Sequence, residues 1–481
     1  MTVETPGVVP PAGGAAPTGP AGVTAGALAD ELADVVKRGA EEAGVPGVAV
    51  GLHAGGEEVV VSHGVTNVEH PLAVDDRTLF QIGSTTKTFT AAAVMALVQD
   101  DRLGLDDPVA AHLGAFRLAA PGEGEAVTVR HLLTHTGGWA GDWFLLTEPD
   151  YGRDGALARV VQDMWRAPRL AAPGQLYSYN NAGYYVLGRL LEVLTGWPYP
   201  EAVRRLVLEP AGIGHSFFHA DEMITHRVAA GHVASEDGPR VQRPWPRPFY
   251  AWPAGALCSC AGDQLSWARL WLAGGVAADG SRLLRQETVA AMTTPQVGID
   301  STTDVGLAWM IRRVGGATVV EHGGATNGYL SRFVMCPAAG MAVTVLSNSG
   351  AAGAFNRSIE RWALGKAAGA VEADSGPATG SLDTAACVGR YGLGPEPEWT
   401  HSVELDPDDS SALVMTPGTP GTPSPPPRYR LVPCGEDEVI CVDPPAAAGQ
   451  RGVFGRGADG AVAWLRFGLR VYNRAPGPSV P

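Results

Sequence analysis

Residues Phe80–Phe89 read Phe-Gln-Ile-Gly-Ser-Thr-Thr-Lys-Thr-Phe, the most informative stretch of the chain. It places the hydroxyl of Ser84 three residues before the amine of Lys87, at the predicted start of a buried helix. Residues three apart share a helix face, so the amine can reach the hydroxyl. Arginine keeps its proton in proteins, whereas a desolvated lysine can act as a base. The pair therefore predicts a serine nucleophile that is activated by a lysine.

Lysine is rare in this chain, which favours a special role for the one in this stretch. It occurs only as Lys37, Lys87 and Lys366, although arginine is common. A Ser-x-x-Lys spacing alone is weak, because a serine N-cap followed by a solvated lysine gives the same pattern. Two later segments strengthen it: Pro173–Tyr184 reads PGQLYSYNNAGY, and Glu321–Tyr329 reads EHGGATNGY.

In this order and spacing, the three segments resemble the serine β-lactamase-like, penicillin-recognising family. The branch they resemble contains class C β-lactamases, D-aminopeptidases and carboxylesterases. Val129–Gly138 (VRHLLTHTGG) and Ala254–Asp263 (AGALCSCAGD) resemble the same branch. The resemblance covers residues 28–365 and is specific as a set, although each piece alone is not. It implies an α+β fold, in which an antiparallel sheet is flanked by helices and joined to an all-helical subdomain.

The resemblance also implies a role for each matching residue. Ser84 would be the acylated nucleophile, Lys87 would help to remove its proton, and Tyr179 would be the partner base and then the acid that protonates the leaving group. Burial and nearby positive charge lower the pKa of a lysine from about 10.4, and a helix N-terminus favours an anionic tyrosinate. Asn181 would hold the substrate carbonyl or amide and fix Lys87.

An oxyanion hole follows from the same resemblance, formed by the backbone N–H groups of Ser84 and Ala325. Gly323 and Gly324 would keep side chains out of the path of the substrate. His322 stands where penicillin-binding proteins usually have the lysine of a Lys-Thr-Gly or Lys-Ser-Gly sequence. A mostly neutral histidine weakens a carboxylate clamp, which argues against β-lactam hydrolysis. His-x-Gly is closer to the aminopeptidase and esterase members.

The second segment offers two tyrosines for the acid–base role. Only Tyr179 forms a Tyr-x-Asn sequence, with Asn181, whereas Tyr177 is followed two residues later by another tyrosine. We therefore predict that Tyr179 is the catalytic tyrosine and that Tyr177 belongs to the core.

Other motifs have plainer interpretations. His131 and His135 have the i, i+4 spacing of metal ligands but lack the glutamate of HExxH and a third ligand, and Cys258 and Cys260 lack a second pair. We predict no metal and no cofactor. Seven aromatic residues in loop-like regions are either scattered surface residues or the lining of an apolar acyl pocket. They are Trp139, Trp143, Tyr151, Trp165, Trp245, Tyr250 and Trp252.

At 481 residues the chain is too long for one ordinary core. We predict a flexible tail over residues 1–26, the catalytic domain over 27–365, an Ala/Gly-rich linker over 366–384, and an antiparallel β barrel over 385–475. The barrel resembles the lipocalin-like appendage of several family members. It is either a stability or dimerisation module or the source of a loop that reaches the active site.

Periodicity predicts the individual elements. Helices are expected over 27–43, 84–100, 127–133 and 183–195, and sheet strands over 48–53, 58–63, 306–314, 318–321 and 329–347 with a break at 337–340. Barrel strands are expected over 387–391, 402–405, 412–415, 429–432, 439–442 and 461–469, with a Pro/Thr-rich loop over 416–427.

Charge and composition narrow the function. A net charge of −15 and the lack of a basic run argue against nucleic-acid or anionic-membrane partners, and the start lacks the pattern of a secretory signal, so we predict a cytoplasmic protein. The partners expected are a small ester or amide substrate and an amine or alcohol acceptor. The leading hypothesis is an esterase or amidase. An ATP-independent transacylase in small-molecule biosynthesis and a non-catalytic binding protein stay open, as does the oligomeric state.

Overall fold

The computed structural model of the chain describes residue 20 and residues 22–144, 151–372, 382–393, 400–418, 426–444 and 447–475. Its strands before the barrel are β1 Gly47–Ala54, β2 Glu57–Gly64, β3 Phe80–Gln81, β4 His232–Val233, β5 Arg240–Val241, β6 Cys258–Ser259, β7 Val297–Gly298, β8 Thr303–Val305, β9 Met310–Val314, β10 Ala317–Thr326, β11 Tyr329–Cys336 and β12 Met341–Ser347.

The barrel strands are β13 Gly389–Gly392, β14 Thr400–Leu405, β15 Leu413–Thr416, β16 Tyr429–Gly435, β17 Glu438–Asp443, β18 Arg451–Arg456, β19 Val462–Phe467 and β20 Arg470–Arg474. The α-helices are Ala29–Glu42, Thr86–Gln99, Val109–His112, Glu123–Ala126, Val129–Leu133, Ala156–Asp163, Asn181–Thr195, Tyr199–Val203, Ala220–Met223, Trp252–Gly255, Ala261–Leu272, Gln286–Thr293, Gly353–Ala368 and Thr384–Cys387.

An eight-stranded antiparallel sheet forms the centre of the catalytic domain, in the order β2-β1-β12-β11-β10-β9-β8-β7. Successive residues of a strand point to opposite faces, and β1 follows this rule. Its valines at 48 and 50 join one apolar cluster with the Ala29–Glu42 and Gly353–Ala368 helices. Ala49 joins a second cluster with the Thr86–Gln99 and Ala261–Leu272 helices. The sheet is therefore covered by helices on both faces.

The Thr86–Gln99 helix, which we call the nucleophile helix, is buried on all sides. Every residue from Thr86 to Leu97 is buried, including Lys87. A helix that is apolar all round lies inside a protein rather than on its surface. It packs against the Asn181–Thr195 helix and shares an apolar cluster with residues of the sheet. The side chain at position 87 is consequently held in the interior.

Strands β13–β20 close into an antiparallel barrel. Its apolar interior is continuous with Ala140 and Leu170 of the catalytic domain, and Asn473 of β20 donates a hydrogen bond to the Leu170 carbonyl over 3.2 Å. The barrel thus packs directly on the catalytic domain. Among the described residues no helix combines the length and the apolar character needed to cross a bilayer.

The predicted fold class is confirmed, while several element boundaries differ. His322, Gly323 and Gly324 lie inside β10, although the expected strand ended at 321, because glycine lowers strand propensity. The barrel has eight strands instead of the six expected runs, because β18 and β20 were both missed; the run expected over 461–469 corresponds to β19 and the turn after it.

The ends of the predicted domains lie partly outside the described residues. Most of the expected tail and residues 373–381 of the expected linker belong to those parts of the chain. Ala25, which we expected in the tail, is fully buried and donates to the Ala54 carbonyl over 3.1 Å. The last helix of the catalytic domain ends at Ala368, three residues beyond the predicted boundary.

Candidate active site

Ser84 lies in a short 3-10 turn, Gly83–Thr85, that leads into the nucleophile helix. The turn is fastened to the sheet through two hydroxyls: the Oγ1 of Thr85 lies 2.9 Å from the Oγ of Ser331, which in turn donates to the Ile82 carbonyl over 2.8 Å. Ser84 itself is only partly buried, so its hydroxyl stays accessible at the end of a rigid support.

Two glycines allow this turn to approach β10 closely. Gly83 has a φ of +52°, and a Cβ placed there would lie 2.8 Å from the Ala325 nitrogen. A Cβ on Gly324 would lie 1.9 Å from the Ile82 carbonyl oxygen. Gly323 is different, because its nearest neighbour would be Arg332 at 3.4 Å. Gly324 is therefore needed for the close backbone contact with Ile82, and the expectation that both glycines of β10 clear a path for the substrate stays a prediction.

The close approach brings the turn that holds Ser84 next to the backbone of Ala325 in β10. Ser84 stands in the first turn before the helix, where N–H groups have no partner within the helix. In β10 the two-residue turn after Thr326 pairs Thr326 with Tyr329, and Ala325 with Leu330. Hydrogen-bonded and non-bonded pairs alternate in an antiparallel ladder, so the Ala325 N–H points away from β11. The Ala325 N–H is therefore available for an oxyanion hole, which stays a prediction.

Lys87 is completely buried and makes three polar contacts. Its Nζ lies 2.7 Å from the Asn181 Oδ1, 2.7 Å from the Ala254 carbonyl oxygen and 3.2 Å from the Ser84 Oγ. Burial holds the pKa of Lys87 well below its usual range, and the nearby Arg470 charge adds to this effect while Asp142 opposes it. A neutral amine has two N–H groups and one lone pair. The amide and backbone oxygens can only accept, so the lone pair is left for the Ser84 hydroxyl.

Asn181 is oriented by a series of hydrogen-bonded and ion-paired side chains that extends to the barrel. Its Nδ2 donates to Asp142, which fixes Oδ1 towards Lys87. Asp142 is ion-paired with Arg470, which belongs to β20 of the barrel. The guanidinium of Arg470 also lies 5.2 Å from the centre of the Tyr179 ring. A residue of the barrel therefore takes part in the electrostatics of the nucleophile.

Tyr179 is buried beside the nucleophile, and its hydroxyl interacts with that of Ser84. Its ring centre lies 4.9 Å from the Lys87 Nζ, and its backbone N–H donates to the Leu469 carbonyl of the barrel over 2.8 Å. Burial raises the pKa of Tyr179 above its usual value, so the phenol is neutral. This differs from the tyrosinate that the helix N-terminus led us to expect. Tyr177 is also buried, and its hydroxyl has no hydrogen-bond partner.

His322 lies near this group as a neutral residue. Burial lowers its pKa to about 3. Its Nδ1 lies 2.7 Å from the Gly323 carbonyl oxygen and therefore carries the proton, which leaves the Nε2 as a buried acceptor without a partner. The rings of His322 and Tyr179 are 6.3 Å apart. His322 thus differs from a cationic carboxylate clamp.

A cavity of about 770 Å³ opens beside Ser84, Asn181 and Ala325. Of the seven aromatic residues considered from the sequence, Tyr151, Tyr250 and Trp252 line it. The remaining four have other surroundings. Trp139 is in the core, Trp165 is 55% exposed, Trp143 packs beside the core, and Trp245 donates to Gln81 over 2.7 Å.

The two histidines considered as metal ligands have separate structural roles. His131 caps its own helix, where its Nδ1 accepts from the Thr128 N–H. His135 accepts from the Asn180 N–H over 3.0 Å and adopts a φ of +58°. The described part of the chain contains no group of three or more His, Cys, Asp and Glu side chains that could hold a metal ion. Cys258 and Cys260 are free and buried.

Several residues that the structure adds to the site were not predicted from the sequence. Asp142 and Arg470 are 328 positions apart, and neither lies in a segment that carried the resemblance. Ala254 contributes only a backbone carbonyl, which any residue could supply. An acidic residue soon after the His-Thr-Gly-Gly stretch was visible, but its partner could not be found without the barrel in place.

The chain belongs to the Beta-lactamase family, because the model of that family matches residues 32–366. It is 34% identical over 337 residues to "Penicillin-binding protein 4" of Amycolatopsis lactamdurans, which covers 68% of this chain and 86% of that protein. It is 26% identical over 332 residues to "Unguisins hydrolase ungD" of Aspergillus violaceofuscus (strain CBS 115571), over 63% of this chain and 58% of that protein.

A solved structure resembles the chain along almost its whole length. "Crystal structure of SurE" is 27% identical with a TM-score of 0.73, and the match covers 94% of this chain and 99% of that one. The same protein in "Crystal structure of SurE with D-Leu" gives a TM-score of 0.71. The match extends beyond the residues of the family model and includes the barrel.

Proposed function

We propose that this protein is a serine acyl-transfer enzyme that forms an acyl-enzyme on Ser84 from an ester or amide and releases the acid by hydrolysis. One observation carries the proposal. The two acceptor oxygens around Lys87 use both hydrogens of a neutral amine and leave its lone pair at 3.2 Å from the Ser84 hydroxyl. That arrangement activates a serine without a histidine–aspartate pair.

Acylation begins when the Ser84 proton moves to the Lys87 amine as Oγ attacks the substrate carbonyl. The negative charge that develops on the carbonyl oxygen is stabilised by the N–H groups of Ser84 and Ala325. The Tyr179 hydroxyl then gives its proton to the departing alcohol or amine, and the Lys87 ammonium returns a proton to the tyrosine oxygen. The net result is one proton transferred from Ser84 to the leaving group.

Deacylation uses the same groups in reverse order. An incoming water gives a proton to Tyr179 while Tyr179 passes its own to Lys87, and the hydroxide attacks the acyl carbonyl. Lys87 then returns the proton to the Ser84 oxygen as the ester bond breaks. A neutral phenol fits both acylation and deacylation. It donates a proton to the leaving group during acylation, and it is neutral again at the end of deacylation.

Transfer to an amine or alcohol is a second candidate that a specific observation favours. The turn between β19 and β20 contacts Tyr179, the residue that would take the proton from an incoming amine or alcohol, so the barrel can influence which acceptor is used. SurE was solved with D-Leu, which makes D-amino acids suitable first acceptors to test in this chain.

Intact-protein mass spectrometry tests the proposal directly. Wild type and Ser84→Ala are treated with a serine-reactive phosphonate, and separately with simple esters, D-amino acid amides and a penicillin. We expect a single adduct on the wild type and none on the variant. Equal labelling of both proteins, or turnover by Ser84→Ala, contradicts the assignment of the nucleophile and favours a binding protein on this fold.

A competition experiment distinguishes hydrolysis of the acyl-enzyme from transfer of its acyl group to an amine or alcohol. The acylated protein is mixed with water alone or with millimolar D-amino acids, amines or alcohols, and the products are identified by mass. A hydrolase gives the free acid in every case. A transacylase gives the amide or ester in proportion to the concentration of the acceptor.

A further inference from the structure

The cavity beside Ser84 lies on the acyl side of the reacting carbonyl. It is lined by Ser84, Asn181 and Ala325, whereas Tyr179 and His322 are absent from its lining. In the mechanism above the leaving group departs next to Tyr179. The part of the substrate that stays attached to Ser84 therefore extends into this cavity, whose walls decide which acyl groups fit.

Arg247 is the charged group that this cavity holds most firmly. Its Nη2 donates to the Phe218 carbonyl over 2.7 Å and to the Ala256 carbonyl over 2.6 Å. The guanidinium centre lies 4.8 Å from the ring centre of Trp245 and 5.5 Å from that of Trp252. The backbone and the two indoles fix the position of the guanidinium.

The hydrogen-bonding capacity of Arg247 is only partly used. Both Nη2 hydrogens are engaged, but the Nε–H is buried without a partner, and within the described chain no carboxylate is ion-paired with Arg247. The described residues that line the cavity include no Asp or Glu, and they add a second cation, Arg153. Arg247 is partly exposed in the cavity, so an anionic group that enters can pair with a cation that has no counter-charge among the described residues.

We propose that Arg247 binds a carboxylate carried by the acyl group of the substrate. The inference rests on the proposed function, because it takes Ser84 as the acylated atom. A planar guanidinium held at one side matches a carboxylate in geometry and charge. The aromatic walls bury the apolar chain between the two ends of the acyl group. The preferred donors are therefore esters or amides of acids with a second carboxylate, separated by an apolar or aromatic spacer.

A matched pair of substrates tests this proposal. One series contains p-nitrophenyl monoesters of linear dicarboxylic acids of increasing length, and the other contains the same compounds with the free carboxylate methylated. The wild type should favour the free carboxylate in kcat/KM at the best length, on the order of 10- to 100-fold, since a charge-assisted hydrogen bond is lost on methylation. Equal kcat/KM for both series at every length overturns the proposal.

Variants of Arg247 then test whether this residue causes the preference for the free carboxylate. Arg247→Gln should reduce the carboxylate-to-methyl ratio to near one, and Arg247→Lys should keep part of it. Arg243→Gln is the control, because Arg243 lies in the same segment but is 60% exposed and paired with Glu69. Both substrates are measured on one protein sample, so a loss of folded protein cancels from the ratio. An unchanged ratio in Arg247→Gln contradicts the proposal.

A binding measurement separates this proposal from the proposed function. Calorimetry on Ser84→Ala with the monoanilides of the same acids, free or methylated, requires no acylation. The carboxylate site is supported if Ser84→Ala binds the free carboxylate more tightly than the methylated form and the double variant Ser84→Ala/Arg247→Gln does not. This result supports the site even where the wild type forms no acyl-enzyme. Equal binding of both forms overturns it even where the acyl-enzyme forms.

Discussion

At the scale of single residues, the properties of the site follow from the environment of Lys87. Its side chain is as inaccessible as any apolar residue of the nucleophile helix, yet each contact of the amine has a chemical purpose. Ordinary lysines remain charged because water solvates them, and removing that water makes the amine a base at neutral pH. Burial thus performs here what a histidine performs in other serine enzymes.

Replacement of this lysine by arginine tests the need for a removable proton. Lys87→Arg keeps the charge but cannot deliver a neutral base, so we expect acylation to fall by at least about 10²- to 10⁴-fold, the usual contribution of general acid–base catalysis. The rate of phosphonate labelling measures the loss, and thermal unfolding shows whether the larger side chain still folds. A folded arginine variant with near-normal labelling rules out Lys87 as the proton acceptor.

The two neighbouring tyrosines form a matched pair for a second prediction. Tyr179→Phe removes the hydroxyl that interacts with Ser84 and should lower kcat by about 10²- to 10⁴-fold. Tyr177→Phe removes a buried hydroxyl without a partner, so it should leave kcat unchanged and stabilise the fold by up to about 1 kcal/mol. Steady-state kinetics and denaturant unfolding check both. The reverse order of effects would assign catalysis to the other tyrosine.

At the scale of elements, the proposed oxyanion hole depends on a strand and a helical turn that touch through their backbones. The contact depends on Gly83 and Gly324, which belong to segments about 240 residues apart. Each segment was recognisable in the sequence. Their contact was not, because the sequence motif shows which residues recur but not that Gly324 meets the Ile82 carbonyl.

Two adjacent glycines of β10 allow a controlled test of that contact. Gly324→Ala places a Cβ 1.9 Å from the Ile82 oxygen and should separate β10 from the nucleophile turn, with a loss of kcat on the order of 10²- to 10³-fold. Gly323→Ala has open space to 3.4 Å and should keep most of the activity. Kinetics of acyl-enzyme formation compare the two. Similar losses in both would show that substrate clearance, rather than backbone contact, requires the glycines.

At the scale of the whole molecule, the barrel acts on the chemistry of the catalytic domain. Arg470 approaches Lys87 and Tyr179, and it neutralises Asp142. The Arg470 charge lowers the pKa of Lys87, whereas the Asp142 charge raises it. The active form has a neutral lysine, so activity is present above the pKa of Lys87 and is lost as the pH falls through it.

Arg470→Ala removes the charge that lowers the pKa of Lys87 and leaves Asp142 uncompensated. The pKa of Lys87 should therefore rise, and the acid limb of the pH profile of kcat/KM should move to higher pH. Arg456→Ala is a suitable control, because Arg456 is an exposed barrel residue paired with Asp437. Profiles for the three proteins are compared at constant ionic strength. A limb that stays in place or moves to lower pH contradicts the electrostatic role of the barrel.

Features that depend on residues close together in the sequence were predictable, whereas features that depend on contacts between distant segments were not. The fold class and the barrel were predicted because local periodicity and three motifs carry them. Asp142, Arg470 and Arg247 were missed because their meaning depends on contacts between distant segments. The strand that holds His322 was predicted too short, since the glycines that lower strand propensity are the residues that the site needs.

The hydrogen bond from the Tyr179 backbone to Leu469 has a consequence for the history of such genes. Recombination that joins residues 32–366 of one parent to the barrel of another would keep Ser84, Lys87 and Tyr179 intact, yet it would exchange the turn that supports the tyrosine and the charge beside it. The two halves are therefore expected to be inherited together. The segment from Gly468 to Arg470 is the first part of the barrel to transplant in a chimera that fails, because it holds both the Leu469 carbonyl and the Arg470 charge.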